Sequence, residues 1–317
     1  MPHDQPHEHK HAHGGGGHHH HHIDPDAGDA RVAWAVAVNM GLTLAQVVGG
    51  LLSGSLALIA DALHNFSDAV ALIIAFFARR IARRPADARM SFGYGRAEVV
   101  AALVNYTTLV VLALYLIYEG ILRFFDPQPI DGWLVVWIAM IALAVDLVTA
   151  ALTYSMSKSS MNIRAAFLHN VADALGSVAV IVAGTLVILN GWTWVDPAVT
   201  LMIAGYILWH VKSEIGGVIR ILMLASPAGM QVEAVLRAIE DVVDVDSVHH
   251  LHLWSMQEHE PALDAHLVIA PGAWDQADRI KAEVKRALEQ GFGIRHTMLE
   301  LECSRHACIA PQRIGHG

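Results

Sequence analysis

Six apolar stretches of about twenty residues each occupy the first two-thirds of the chain and leave little choice of fold. They run over about 32–52, 56–81, 98–121, 133–154, 163–189 and 196–218. A bilayer's hydrocarbon core takes about 20 residues of helix. In lipid every backbone polar group must be paired within its own segment, so runs of this kind fold as helices. Composition agrees: 54% of the 317 residues are hydrophobic and only 16% charged, too apolar for an ordinary soluble domain. A net charge of −9 and the lack of any basic reading module argue against nucleic acid as a partner. Trp133, Trp137, Trp192 and Trp194 fall near stretch ends, where interfacial tryptophans are enriched.

Arginine sets the orientation. Arg79, Arg80, Arg83, Arg84, Arg89 and Arg96 crowd the connection after the second stretch, and Lys158 and Arg164 follow the fourth. Short loops rich in Arg and Lys stay in the cytoplasm, so six spans put both termini there. The opposite loops, 126–131 and 190–192, carry little positive charge apart from nearby Arg123. Residues 1–30 hold ten histidines, including His18 to His22 after four glycines, and cannot build a core. A run of five is unusual for an affinity tag and scattered histidines precede it, so the tract reads as a disordered, metal-collecting cytosolic tail. No cleavable signal peptide is evident in its polar composition.

The expected division is therefore a tail over 1–30, a membrane bundle over 31–225, a small cytosolic domain over 226–303 and a C-terminal tail over 304–317. After Pro227, 230–243 has helical periodicity, 248–256 and 262–269 alternate like strands, 275–290 reads as an amphipathic helix and 294–302 as a last strand. The order αββαβ predicts an α+β domain. Its strands bear His249, His250, His252, His266, His296, Glu300 and Glu302; strict alternation would put His250 and His252 on one face and His249 on the other. Solvated histidines on an exposed face are the plain alternative. Cys303 and Cys308, read as a reduced cytosolic pair, form with His306 a short sulfur and nitrogen cluster that could suit a soft metal.

Two stretches nearly repeat each other: Leu63-His64-Asn65-Phe66-Ser67-Asp68-Ala69 in the second span and Leu168-His169-Asn170-Val171-Ala172-Asp173-Ala174 in the fifth. Residues i and i+4 share a helix face. Each helix thus offers one imidazole and one carboxylate at one spot, and two such helices give the two nitrogens and two oxygens of a tetrahedral divalent-metal site, zinc first. Interhelical hydrogen bonding is the plain alternative, but ionisable groups at bilayer depth are costly and mark ion pathways. Asp61 could join the site or face a neighbouring helix. Asn39 and Asp146 could be supporting groups or proton carriers, with helix-packing hydrogen bonds the alternative there and at Asn105.

These residues carry a resemblance. Residues 31–302 resemble the cation diffusion facilitator family of metal/proton antiporters, and are most similar to its bacterial zinc efflux members. The matching pieces are Ser55-Leu56-Ala57-Leu58-Ile59-Ala60-Asp61-Ala62-Leu63-His64 with Asp68, Ser91-Phe92-Gly93-Tyr94-Gly95-Arg96-Ala97-Glu98, His169 and Asp173 followed by Ala174-Leu175-Gly176-Ser177, Val248-His249-His250-Leu251-His252-Leu253-Trp254, and Arg295-His296-Thr297-Met298-Leu299-Glu300-Leu301-Glu302. The resemblance implies that His64, Asp68, His169 and Asp173 hold the transported metal. It also implies a homodimer whose metallochaperone-like cytosolic domains bind regulatory zinc through His249, His266, His296 and Glu302. Two departures stand out. An extra site some members have in the loop after the second span is expected to be absent, because Met90 and Tyr94 stand where its histidines would be, beside Asp87. His250 replaces an aspartate common in relatives, which leaves its role open.

The expected activity is zinc/proton antiport out of the cytoplasm, across a bacterial inner membrane, with cadmium or cobalt as co-substrates and protons as counter-substrate. Metal ligands must be deprotonated, and protons are the natural replacement when the metal leaves. Two other readings are kept. A non-transporting membrane metal sensor or storage protein would suit the tail and the cytosolic histidines. An intramembrane metallo-enzyme would need an open coordination position and a general base, and no His-Glu-x-x-His motif is present.

Overall fold

The computed structural model describes residues 40–157, 161–257, 260–309 and 311–315. The expectations for the histidine-rich tail, Asn39 and Lys158 lie outside the described residues.

The described part of α1 is Met40–Ser53. It is followed by α2 (Leu56–Ala82), α3 (Ala97–Phe125), α4 (Gly132–Ser157), α5 (Met161–Asn190) and α6 (Val195–Leu222). By length and apolarity, α2, α3, α4 and α5 can each cross a bilayer. Helix α6, expected as the sixth span, is as long, but Lys212, Glu214 and Arg220 in its second half dilute its hydropathy. It belongs to the same bundle: Ile203, Ala204, Ile207 and Val211 of α6 share one buried cluster with Leu56, Ala57, Leu58 and Ala60 of α2, Leu109, Ala113 and Leu116 of α3, Val135 and Ala139 of α4, and Val180 of α5. Lipid tails are as apolar as leucine, so close backbone approach rather than water exclusion holds such helices together, and small residues sit at the contacts. Gly132 shows this: a Cβ there would stand 2.7 Å from the Gly184 carbonyl oxygen of α5. Trp133, Trp137, Trp192 and Trp194 point outward.

The α1–α2 turn fixes where α2 begins. Gly54 takes φ +74°, a left-handed value glycine adopts at no steric cost. Ser55 caps α2, its hydroxyl accepting from the Leu58 N–H at 3.1 Å. Asp196 of α6 reaches the same helix start, accepting from the Ser55 hydroxyl and from the Leu56 N–H at 2.8 Å. A buried carboxylate on a helix N-terminus satisfies donors that lipid cannot, and it pins α6 to α2.

The C-terminal domain has the expected αββαβ order: α7 (Val232–Glu240), β1 (Val245–Gln257), β2 (Glu260–Ile269), α8 (Ala277–Phe292) and β3 (His296–Cys303). The sheet order is β1-β2-β3, antiparallel then parallel; α8 supplies the long crossover that a parallel pair needs. Val235, Leu236 and Ile239 of α7 and Val284 and Leu288 of α8 cover Leu263, Ala265 and Leu267 of β2. The period of two then turns His266 to the opposite face.

The loop between α2 and α3 joins the two parts. Arg96 donates from Nε to the Met256 carbonyl at 2.9 Å, and a Cβ on Gly95 would collide with the Gln257 side chain. Within this loop Asp87 accepts from the Arg89 and Met90 N–H groups at 2.8 and 2.9 Å and from the Tyr94 hydroxyl at 2.7 Å. Those bonds, the Tyr94 hydroxyl foremost, hold its carboxyl below the usual range. Asp87 is thus occupied in shaping the loop.

Candidate metal centres

Helices α2 and α5 bring the two His-x-x-x-Asp motifs face to face. His64 Nε2 lies 3.8 Å from Asp68 Oδ2 and 3.6 Å from Asp173 Oδ1; His169 Nε2 lies 3.1 Å from Asp68 Oδ2 and 3.4 Å from Asp173 Oδ2. The four side chains close a ring, each nitrogen flanked by a carboxylate from both helices. A tetrahedral zinc ion with arms of about 2.0–2.1 Å has ligand–ligand edges of about 3.3 Å, and the four spacings bracket that value. His64 and Asp173 are buried, Asp68 is a quarter exposed and His169 is 43% exposed, so the ring opens on the His169 side. Among the described residues, both nitrogens of His64, Asp68 Oδ2 and Asp173 Oδ1 are buried without a hydrogen-bond partner. Leaving such atoms unmet at bilayer depth is expensive, and a divalent cation would satisfy the three that face the ring.

Around the ring lies a shell that the motifs did not announce. Gln46 of α1 donates to Asp61 Oδ2 at 2.6 Å and accepts from Asn65 Nδ2 at 3.3 Å. Asp61, 3% exposed, lies against α5, where a Cβ on Gly176 would be 3.2 Å from its Oδ1. Asp146 of α4 accepts from the Ser177 hydroxyl at 3.1 Å, one turn beyond Asp173. Tyr206 of α6 sits edge-on to His64, ring centroids 6.4 Å apart. Asp61 thus turns to α1 and α5 rather than into the ring. Polar residues inside apolar stretches were the available signal for Gln46 and Ser177; nothing singled out Tyr206.

The second cluster lies on the sheet face away from the helices. His249 pairs with His266 across β1 and β2, and His266 pairs with Glu300 across β2 and β3. His266 Nδ1 is 2.7 Å from Glu302 Oε1, its Nε2 is 3.4 Å from Glu300 Oε2, and His249 Nε2 is 3.4 Å from Glu302 Oε2. Burial pushes the Glu302 carboxyl up, but hydrogen bonds from His266 and Cys308 and the nearby His249 outweigh it and hold it below its usual range.

Two expectations change here. The pairing register breaks between His249 and His252, and His250 takes φ +50°. This bulge cancels strict alternation, and His250 joins the cluster, its ring centroid 4.9 Å from His249 and 5.0 Å from His266. His296, by contrast, stands apart. It pairs with Ala262, four residues along β2 from His266, which is about 13 Å of strand, and its ring lies 6.1 Å from that of Phe92 in the α2–α3 loop. The cysteines also separate: Cys303 Sγ sits 3.1 Å from His306 Nδ1, whereas Cys308 turns to Glu302. His249, His250, His266 and Cys308 have donor atoms within 4.8 Å of one another, as do His266, Glu300 and Glu302.

Comparison with known proteins decides the family. Residues 32–223 match the cation efflux transmembrane domain, and residues 227–303 match the cation efflux protein cytoplasmic domain. The chain belongs to the cation efflux family. Among its relatives in this family, a cadmium, cobalt and zinc/H(+)-K(+) antiporter of Bacillus velezensis is 34% identical over 275 residues, 84% of this chain and 86% of that one. The zinc transporter ZitB of Pectobacterium atrosepticum is 34% identical over 277 residues, 87% of this chain and 86% of that one. The metal cation efflux system protein CzcD of Cupriavidus metallidurans is 33% identical over 278 residues, 88% of each.

Proposed function

We propose that this cation efflux protein is a zinc(II)/proton antiporter that exports divalent metal from the cytoplasm by alternating access, taking cadmium or cobalt as further substrates. The observation that carries this is the closed ring of His64, Asp68, His169 and Asp173, with edges of 3.1–3.8 Å at bilayer depth. Two imidazoles with two carboxylates suit zinc, whereas hard manganese prefers an all-oxygen site. The names of relatives, which include zinc, cadmium and cobalt among their substrates and H(+) as counter-ion, support the same reading.

Binding needs neutral imidazoles and ionised carboxylates. Metal entering from the cytoplasm displaces protons from these groups. When the helices rock so that the ring faces outward, protons returning to His64 and His169 weaken the site and release the metal. Asp61 and Asp146 flank the ring and are placed to hold protons passing to or from it. Residues 31–225 carry the metal, and residues 226–303 sense it through His249, His266 and Glu302 of a homodimer in the inner membrane, both termini cytoplasmic. No observation favours a non-transporting sensor or storage protein.

Zinc uptake into inverted proteoliposomes tests the proposal: the wild-type protein accumulates zinc and Asp173→Ala does not. Zinc flux that survives Asp173→Ala would remove the ring from the pathway.

A further inference from the structure

The chain after β3 does not trail away from the domain. It turns at 304–306 and crosses to the far edge of the sheet, where it docks along β1. His250 N–H donates to the Gln312 carbonyl at 2.9 Å, Leu251 N–H to the Arg313 carbonyl at 3.1 Å, and Gly315 N–H to the Leu251 carbonyl at 3.1 Å. Leu251 and Ile314 form a parallel bridge, and Arg313 pairs with Glu240 of α7 at 2.6 Å. The segment is thus a strap running from one edge of a three-stranded sheet to the other. Residues 312–315 pair with β1 at the bulge that turns His250 towards His249. Midway, Cys308 is held over the cluster: its N–H donates to Glu302 Oε2 at 3.2 Å and its thiol to Glu302 Oε1 at 3.5 Å.

A second observation shows that this corner is built for a ligand. His249 is 2% exposed, and neither of its ring nitrogens makes a hydrogen bond among the described residues. The donor atoms of His249, His250, His266 and Cys308 all fall within 4.8 Å of one another. A tetrahedral ion with Zn–N arms of about 2.0–2.1 Å and a Zn–S arm of about 2.3 Å needs edges of about 3.3–3.6 Å, so the widest separations have to close by up to about 1.5 Å. Side-chain rotation of the strap's cysteine and of His250 can supply that.

We infer that Cys308 is a metal ligand: the C-terminal strap adds a thiolate to His249, His250 and His266 and makes the cytosolic centre a sulfur–nitrogen site for zinc-like and softer divalent ions. This rests on reading the cytosolic cluster as a metal centre and goes further by naming the strap, the sulfur and the class of ion. On binding, the Cys308 thiol gives its proton to solvent and its sulfur bonds to the metal, while Glu302 gives up the thiol contact and keeps its 2.7 Å contact with His266. Thiolate ligation favours soft ions over manganese or magnesium. Because residues 312–315 also pair with β1, metal bound through Cys308 ties the C-terminal segment down onto the domain.

Cys303 and Cys308 are the only cysteines in the chain, so a sulfur-to-cadmium charge-transfer band in the ultraviolet reports on these two residues alone, whatever cadmium the other sites take. The experiment adds cadmium chloride to full-length protein in detergent, as wild type, Cys308→Ser and Cys303→Ser. In parallel, equilibrium dialysis compares cadmium bound by wild type with that bound by the His249→Ala/His266→Ala double variant. The expected result is a band in wild type and Cys303→Ser that is lost in Cys308→Ser, with about one cadmium fewer in the double variant. If the double variant loses cadmium but wild type shows no band, or a band that Cys308→Ser leaves intact, the sulfur ligand is wrong and the cytosolic centre stands. If no band appears and the double variant binds as much cadmium as wild type, both fall.

Discussion

In the bundle, four donors come from two helices, each giving a histidine and an aspartate one turn apart, and several of their buried atoms have no hydrogen-bond partner among the described residues. In the C-terminal domain, donors come from three strands and a strap; the His249 ring nitrogens have no hydrogen-bond partner among the described residues, but the others hold one another: His266 is 2.7 Å from Glu302, which also takes the Cys308 N–H. The first arrangement splits its ligands between two helices, α2 and α5, so any relative motion of the two would change the site's geometry. The second is tied into one hydrogen-bonded sheet. Release is what a carrier site needs and retention is what a sensor needs, so the difference in scaffold supports the proposed division into carrier and sensor more than the ligand types do.

That contrast can be broken. The largest effect is expected at the ring: Asp173→Ala or His64→Ala lowers zinc flux in proteoliposomes by about 100-fold or more, since losing even an outer partner of a metal ligand costs about 10–100-fold. Equal flux in either variant would make the ring ornamental. Next, Asp61→Asn and Asp146→Asn keep zinc binding by calorimetry but slow zinc-driven proton movement by about tenfold; unchanged proton flux would confine both acids to packing. Gln46→Leu leaves the Asp61 carboxylate buried without its donor and should cost about 1–3 kcal/mol in detergent unfolding. At the cytosolic centre, His249→Ala/His266→Ala is expected to lower flux only a few-fold. A collapse as deep as that of Asp173→Ala would erase the division into carrier and sensor. Smallest of all, His296→Ala leaves metal stoichiometry unchanged; losing one ion there would overturn its placement outside the cluster.

How much of this was legible depended on the period of each element. An α-helix keeps a fixed repeat, so His64 with Asp68 and His169 with Asp173 announced a shared face, and their two copies announced the ring. The αββαβ order was legible from hydrophobic periodicity for the same reason. The cytosolic cluster was only partly so. Its bulge inserts one residue of left-handed backbone at His250, and no rule of alternation anticipates that. His296 sits on the same strand face as Glu300 and Glu302 in simple alternation, but the parallel register sets it four residues from His266. Cys308 and the strap depend on a long-range edge pairing, Leu251 with Ile314, that leaves no local trace. Gln46 and Asp61 meet across fifteen residues of sequence and two helices, again a matter of packing rather than pattern.

The account stands or falls on whether one ring of two histidines and two aspartates exchanges a metal ion for protons. The direct measurement is zinc-driven proton flux in proteoliposomes, read with an internal pH dye, for wild type and Asp173→Ala side by side. A zinc gradient is expected to drive protons the opposite way in wild type and to drive none in Asp173→Ala. Zinc movement without proton counterflow, or proton counterflow that persists in Asp173→Ala, would contradict it.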